Sequence, residues 1–447
     1  MTKPRISIHW FRRDLRLHDN HGLSRALQYH GNVLSLFIFD TNILDRLEDK
    51  VDRRVDFIHR TIGGLHADLA RQGSTILVEE GEPLEVWMRI LERFDVIGVT
   101  ANHDHEPYAI ARDKAIGEFL ISRGVPFRTF KDISIFERGE VLKDDGGPYT
   151  VFTPYARKWK SHFKLEMANS FPSETHLDGL WRTEPLPIPG LVTIGFQPTD
   201  LLTPSEVVRD ELLLNYERTR NIPGIPGTSR MSVHLRFGTV SVRKLVRQSL
   251  DLSPTYLNEL IWREFFMQIL WHFPHSERAF KPNYDHIEWR KDEGGFQAWC
   301  DGRTGYPLVD AGMRELLATG HMHNRVRMVV ASFLCKHLLI DWRWGEAWFA
   351  SKLLDFELSS NNGGWQWASG SGCDAAPYFR VFNPRLQLEK FDPQLKYVKH
   401  WVPEYGTANY VQPVVVHESA RQRALATYKA GLSGTKAMND RKNELFA

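Results

Sequence analysis

The feature that most constrains the fold is a change of hydrophobic period partway along the chain. Short runs rich in β-branched and aromatic residues recur at Ile6–Phe11, Val33–Phe39, Thr75–Val78, Asp95–Ala101 and Pro126–Phe130. Segments with helical spacing, Val55–Leu69 and Pro83–Phe94 among them, lie between most of these runs. Strand and helix patterns in alternation predict a parallel sheet with crossover helices. The turn after the first run reads Arg12-Arg13-Asp14 and carries no G-x-G-x-x-G, which argues against a dinucleotide cradle there.

From about Ser170 to Asp200 the composition shifts, with Pro172, Pro185, Pro187, Pro189 and Pro198 among Gly, Ser and Thr. This predicts a connector running over the surface. Beyond it the pattern is helical at Tyr256–His272, Tyr306–Ala318, Asn324–Leu339 and Trp344–Leu354, with few strand signals. The expected architecture is a Rossmann-like α/β domain over 1–132, a connector over 133–200, and an all-α domain over 201–447. A chain of 447 residues exceeds one ordinary core, and a helical domain of this size can enclose a cofactor.

Net charge is +2, so any nucleic-acid surface must be a local patch. Cys300, Cys335 and Cys373 form no C-x-x-C pair, which argues against a disulfide framework, a structural zinc site or a Cys-ligated cluster. The apolar run at the N-terminus is broken by His9 and is too short for a signal peptide, and no run reaches the length of a membrane span. The expected location is the cytoplasm.

Four groups of residues carry chemistry. In Gly227-Thr228-Ser229-Arg230-Met231-Ser232, small hydroxyls and an arginine precede a helical pattern, suited to a phosphate or to a plain helix cap. Glu259 and Trp262 share a helix face, where a carboxylate beside an indole can grip a base or simply mark a core edge. Asn324, Arg327 and Met328 fall at i, i+3 and i+4, an odd composition for a core stripe. Asp355, Glu357, Asn361 and Asn362 crowd against Gly363-Gly364-Trp365-Gln366-Trp367, a segment suited to a flavin edge or to a polar loop pinned by tryptophans. Of 14 tryptophans, 10 lie from Trp262 onward, so the helical part holds most of the indoles available for packing or for electron relay.

Taken with the N-terminal run His9-Trp10-Phe11-Arg12-Arg13-Asp14-Leu15-Arg16-Leu17-His18-Asp19-Asn20, and with Gly305-Tyr306-Pro307 and Met322-His323-Asn324-Arg325, these motifs resemble the photolyase/cryptochrome family. The resemblance covers nearly the whole chain and is strongest to the class I cyclobutane pyrimidine dimer photolyases. It implies an N-terminal antenna domain and a helical domain holding a U-shaped FAD. Tyr216, Thr228, Ser229 and Ser232, with Arg230 and Met231 between them, then correspond to FAD phosphate and ribose contacts. Asn324, Arg327, Asp355, Glu357 and Asn361 correspond to neighbours of the isoalloxazine, with Asn361 facing its N5. Glu259, Trp262, Asn324, Met328 and Trp367 correspond to the pocket for a flipped dimer, and base flipping is a general device of photolyases. Arg380 and Lys390 correspond to phosphate contacts on the DNA face, and Trp289, Trp342 and Trp365 to the chain of indoles that reduces the flavin.

The implied activity is light-driven repair of cyclobutane pyrimidine dimers in UV-damaged DNA, by electron transfer from excited, reduced, anionic FAD. No metal is required, and a monomer is expected. Two departures stand out. Glu357 replaces the aspartate typical of class I, and Glu106-Pro107-Tyr108-Ala109 replaces an Asn-Glu pair that binds folate in some bacterial members. The second chromophore is therefore open between a deazaflavin, a second flavin and none. A cryptochrome-type light sensor is disfavoured by Glu259 with Trp262, by Asn361, and by the short sequence after the helical domain. A (6-4) photoproduct photolyase is disfavoured because neither Asn324 nor Met328 is histidine. A generic flavoprotein oxidase fits worst, since no separate substrate base is evident.

Overall fold

The computed structural model describes residues 3–275 and 278–445. All five strand-like runs form strands: β1 (Arg5–Phe11), β2 (Val33–Asp40), β3 (Ile76–Gly81), β4 (Asp95–Asn102) and β5 (Phe127–Phe130). They make one parallel sheet in the order β3-β2-β1-β4-β5. Every residue of β2 is buried, as a strand covered on both faces requires, so its apolar run is continuous rather than alternating. The helix Pro83–Arg93 adds Val86, Trp87 and Ile90 to a core with Ile8, Trp10, Leu36 and Val99 of the sheet.

The chain divides into two compact units that interleave in sequence. The first comprises 1–146, 157–210 and 230–264; the second comprises 147–156, 211–229 and 265–447. Buried ion pairs hold the first unit's separate segments together. Arg16 and Arg243 both reach Asp132, at 2.7 and 2.8 Å, and Arg243 also reaches Asp19 at 2.8 Å. Burial alone would raise the Asp132 carboxyl, but the two guanidiniums outweigh it and hold the group well below the usual carboxylate range. Glu264 performs a similar role with neutral donors. Its oxygens accept from the backbone N–H of Ile135 and Phe136 and from the indole N–H of Trp159, at 2.8, 3.0 and 2.6 Å.

The proline-rich stretch expected to bridge domains is irregular, as its composition predicts, but it lies along the first unit. Trp181 N–H donates to the Val33 carbonyl, Thr183 N–H to that of Gly73, and His66 Nε2 lies 2.8 Å from the Leu186 carbonyl oxygen. In the second unit the helices Pro307–Thr319, Asn324–Ser332, Trp342–Lys352 and Leu358–Ser369 share one core, with Leu308, Val326, Val330, Phe349 and Trp365 buried in it. The helical pattern read through to Leu339 changes character after Ser332. Phe333–Leu338 is a π-helix closed by Leu339 in the left-handed region.

Candidate functional site

The helix Asn324–Ser332 begins at His323, whose Nδ1 accepts the Arg325 N–H at 3.1 Å. Val326, Val329 and Val330 are buried, whereas Asn324 is exposed and Arg327 and Met328 are half-buried. The odd polar stripe is thus the helix face turned away from the core. Arg327 is fixed at two points. Its Nη2 pairs with both oxygens of Asp355, at 3.1 and 2.9 Å, and its Nε donates to the Met322 carbonyl at 2.7 Å. Met328 has a neighbour that the motif does not reveal. Arg325 Nη1 lies 3.5 Å from its sulfur, and the same guanidinium is held by Asn221 and by the Phe391 ring.

The segment after Asp355 is a helix, Leu358–Ser369, rather than a loop. Two glycines within it oppose helix formation by about 1 kcal/mol each, but at Gly363 tertiary contact decides. A Cβ there would lie 2.2 Å from the Phe266 ring. On the facing helix, Gly345 likewise admits the Trp365 indole, which a Cβ would meet at 2.1 Å. Asp355, Glu357 and Asn361 are all buried. Glu357 accepts the Ser360 hydroxyl at 3.0 Å. Asn361 Nδ2 donates to the backbone oxygen of Glu346 at 3.1 Å and to its Oε1 at 2.9 Å. A backbone carbonyl can only accept, so the amide's orientation is determined, and Oδ1 is directed away from Glu346 as an acceptor. Burial pushes the Glu346 carboxyl up, and the Asn361 bond partly offsets this. Sequence spacing gave no signal for Glu346, because it lies on another helix.

At the expected phosphate segment, Tyr216 is buried and Gly227 packs so closely on Thr219 that a Cβ would meet its carbonyl oxygen at 2.8 Å. Thr228 and Ser229 are half-buried, while Arg230 is exposed at a positive φ of 54°. The plain-cap alternative for this segment fails in its simplest form. The following helix, Ser232–Phe237, has Met231 at its cap position with no side-chain cap bond, and Ser232 is exposed as its first residue.

Glu259 and Trp262 are half-buried on the helix Pro254–His272 and belong to the first unit. Asn324, Met328 and Trp367 belong to the second, where Trp367 lies 6.4 Å from the Phe382 ring. Arg380 and Lys390 are exposed. Of the three tryptophans expected to form a relay, Trp365 and Trp342 are buried and Trp289 is half-buried. The ring neighbours of Trp365 are Trp299 at 6.0 Å and Phe349 at 5.0 Å; Trp342 carries the Arg343 guanidinium at 4.7 Å, and Trp289 meets Tyr428 edge-on at 5.7 Å. Trp299 is a contact that the relay motif omits.

Residues 7–174 match the family described as DNA photolyase, and 256–408 match the FAD binding domain of DNA photolyase. A deoxyribodipyrimidine photo-lyase of Halobacterium salinarum is 35% identical, over 95% of this chain and 99% of that one. A bacterial class III photolyase from Agrobacterium tumefaciens superposes with a TM-score of 0.86 at 34% identity, covering 96% and 98% of the two chains. An archaeal photolyase from Sulfolobus tokodaii, solved with two FAD molecules, gives 0.78 at 31% identity, covering 95% and 99%.

Proposed function

The chain belongs to the photolyase/cryptochrome family, and from that premise we propose that it repairs cyclobutane pyrimidine dimers in DNA, driven by blue light and FAD. The observation that carries the reading is two buried polar groups, Asp355 fixed by Arg327 and Asn361 fixed by Glu346, within the stretch matching an FAD binding domain. A flavin edge presents N–H groups and ring acceptors together. Asn361 Oδ1 is an acceptor directed away from Glu346, and the Arg327–Asp355 pair supplies fixed charge of both signs, so the donor set suits the group.

The FAD held by these residues, reduced and anionic, would supply light-driven one-electron chemistry to the lesion with no net oxidation. The protein's part is to bind, orient and exclude water. Tyr216, Thr228, Ser229, Arg230, Met231 and Ser232 hold the phosphates and ribose. Glu357, with Asp355 and Asn361, would line the ring system. In the second unit, Trp367 would offer a face on which a flipped dimer stacks, Met328 an apolar contact and Asn324 a bond to a base edge; the roles of Glu259 and Trp262 rest on the resemblance alone. Arg380 and Lys390 would take backbone phosphates, and both are exposed, as a phosphate contact requires. The class of photolyase is not carried over, because the motifs resemble class I while one solved relative is a class III enzyme.

Lesion choice separates this reading from a (6-4) enzyme. Asn324 and Met328 stand where a histidine pair would be needed to move a proton in the latter reaction. Purified protein is expected to release FAD on denaturation and, under blue light, to clear cyclobutane dimers from an oligonucleotide while leaving (6-4) products. Efficient (6-4) repair overturns the lesion assignment; absence of flavin overturns the cofactor assignment.

A further inference from the structure

A doubly wound sheet binds ligands in the crevice outside the carboxyl ends of the strands where the strand order reverses. Here that point lies between β1 and β4, which are neighbours in the order β3-β2-β1-β4-β5. The segments leaving these strands are Arg12-Arg13-Asp14 and His103-Asp104-His105-Glu106. This is where a second chromophore of nucleotide type would enter the first unit.

The crevice is filled by the chain's own charges. Arg12 reaches Asp113 at 2.5 Å and also bonds the Asn102 carbonyl. Arg112 lies 3.0 Å from Asp113 and 3.7 Å from Asp40, and the Tyr108 hydroxyl donates to Asp40 at 2.7 Å. Both guanidiniums also lie over the Trp10 ring, at 4.9 and 5.0 Å from its centroid. On the other side, Arg13 pairs with Asp104 at 2.9 Å, and Arg236 pairs with Glu106 at 3.0 Å. Four cations face four carboxylates, and none of the eight side chains is more than 19% exposed.

Each device by which such a crevice takes an anionic or aromatic ligand is already engaged. The backbone N–H of Arg12 donates to Asp14 at 2.7 Å, so that donor of the β1 turn is already engaged. Trp10 is 1% exposed beneath two cations, so its face is closed to stacking. Burial pushes the Asp104 carboxyl up, yet Arg13, with further help from His105, Arg236 and Arg112, holds it well below the usual carboxylate range, so this carboxylate is ionised at neutral pH. Entry of a phosphate or a ring would separate buried ion pairs and leave carboxylates uncompensated. We infer that the switch-point crevice of the first unit is sealed by this ion-pair cluster and takes no second chromophore. The second FAD of the Sulfolobus tokodaii photolyase is accordingly not expected in this crevice.

The test is a chromophore count on the purified holoprotein, before and after incubation with excess FAD or, separately, FMN, repeated with Arg112→Ala and Tyr108→Phe. The expected result is a single FAD per chain in the wild type, unchanged by either flavin. A second chromophore that is lost or weakened at least tenfold in Arg112→Ala or in Tyr108→Phe, with the first FAD retained as the folding control, overturns the inference. A second chromophore held equally by wild type and both variants binds elsewhere and supports closure of the crevice. A count of zero in wild type goes against the cofactor proposed above, and failure of added flavin to bind at the crevice still supports the inference.

Discussion

Trp342 is a packing residue for which we propose a second role, as a step in an electron relay to the flavin. It is 2% exposed, within the core that also holds Trp365, and carries the Arg343 guanidinium on its face. Phenylalanine keeps most of that buried area but is much harder to oxidise, so Trp342→Phe separates the two roles. The substitution is expected to slow photoreduction of oxidised FAD at least tenfold, read as flavin bleaching under blue light. Chemically pre-reduced variant should repair dimers nearly as the wild type does, because repair needs only the flavin and the lesion. Normal photoreduction in the variant means that these indoles are structural, or that the electron travels by Trp299, which lies against Trp365. Loss of repair in the pre-reduced variant means that the core has been damaged.

At the scale of single elements, the helix carrying Asn324, Arg327 and Met328 depends on a neutral histidine. Burial, with smaller contributions from the nearby cations, lowers His323 to about 4, although Glu315 opposes the shift. Its Nδ1 must stay unprotonated to accept the Arg325 N–H. The folded pKa lies below the unfolded value of 6.5, so the stability gained is present above that value and is lost as pH falls toward about 4. A shift of this size corresponds to up to about 3 kcal/mol. His323→Asn keeps a capping acceptor without the titration. Denaturant melts are expected to show the wild type losing more stability than His323→Asn between pH 6.5 and 4. Parallel pH curves would assign the acid sensitivity elsewhere.

Elements also differ in how far they could be read in advance. A strand such as β2 was legible because a parallel strand buried along its whole length reads as an unbroken apolar run. Asn324, Arg327 and Met328 were legible as one face because helical spacing alone sets it. Leu358–Ser369 was not legible as a helix, since Gly363 answers to the Phe266 ring, remote in sequence. The π-helix after Ser332 has no signature in apolar spacing, and the Glu346 partner of Asn361 comes from a different helix. The interleaving of the two units was equally hidden. It rests on pairs such as Arg243 with Asp19, which composition shifts do not mark.

For the whole molecule, a net charge of only +2 means that DNA would have to be held by local cations rather than by an overall field. Arg380→Ala is expected to weaken binding to damaged and undamaged duplexes alike, and to reduce the slope of log affinity against log salt by about 1. An unchanged slope would remove Arg380 from the phosphate contacts. The central claim, that light opens the dimer through bound FAD, is tested most directly by illuminating the pre-reduced flavoprotein with an oligonucleotide bearing one cyclobutane pyrimidine dimer. The account predicts that the dimer reverts to two intact pyrimidines under blue light, does not revert in the dark, and leaves the flavin reduced after many turnovers. A dimer untouched by light in the presence of bound, reduced FAD, or splitting that proceeds equally in the dark, would contradict it.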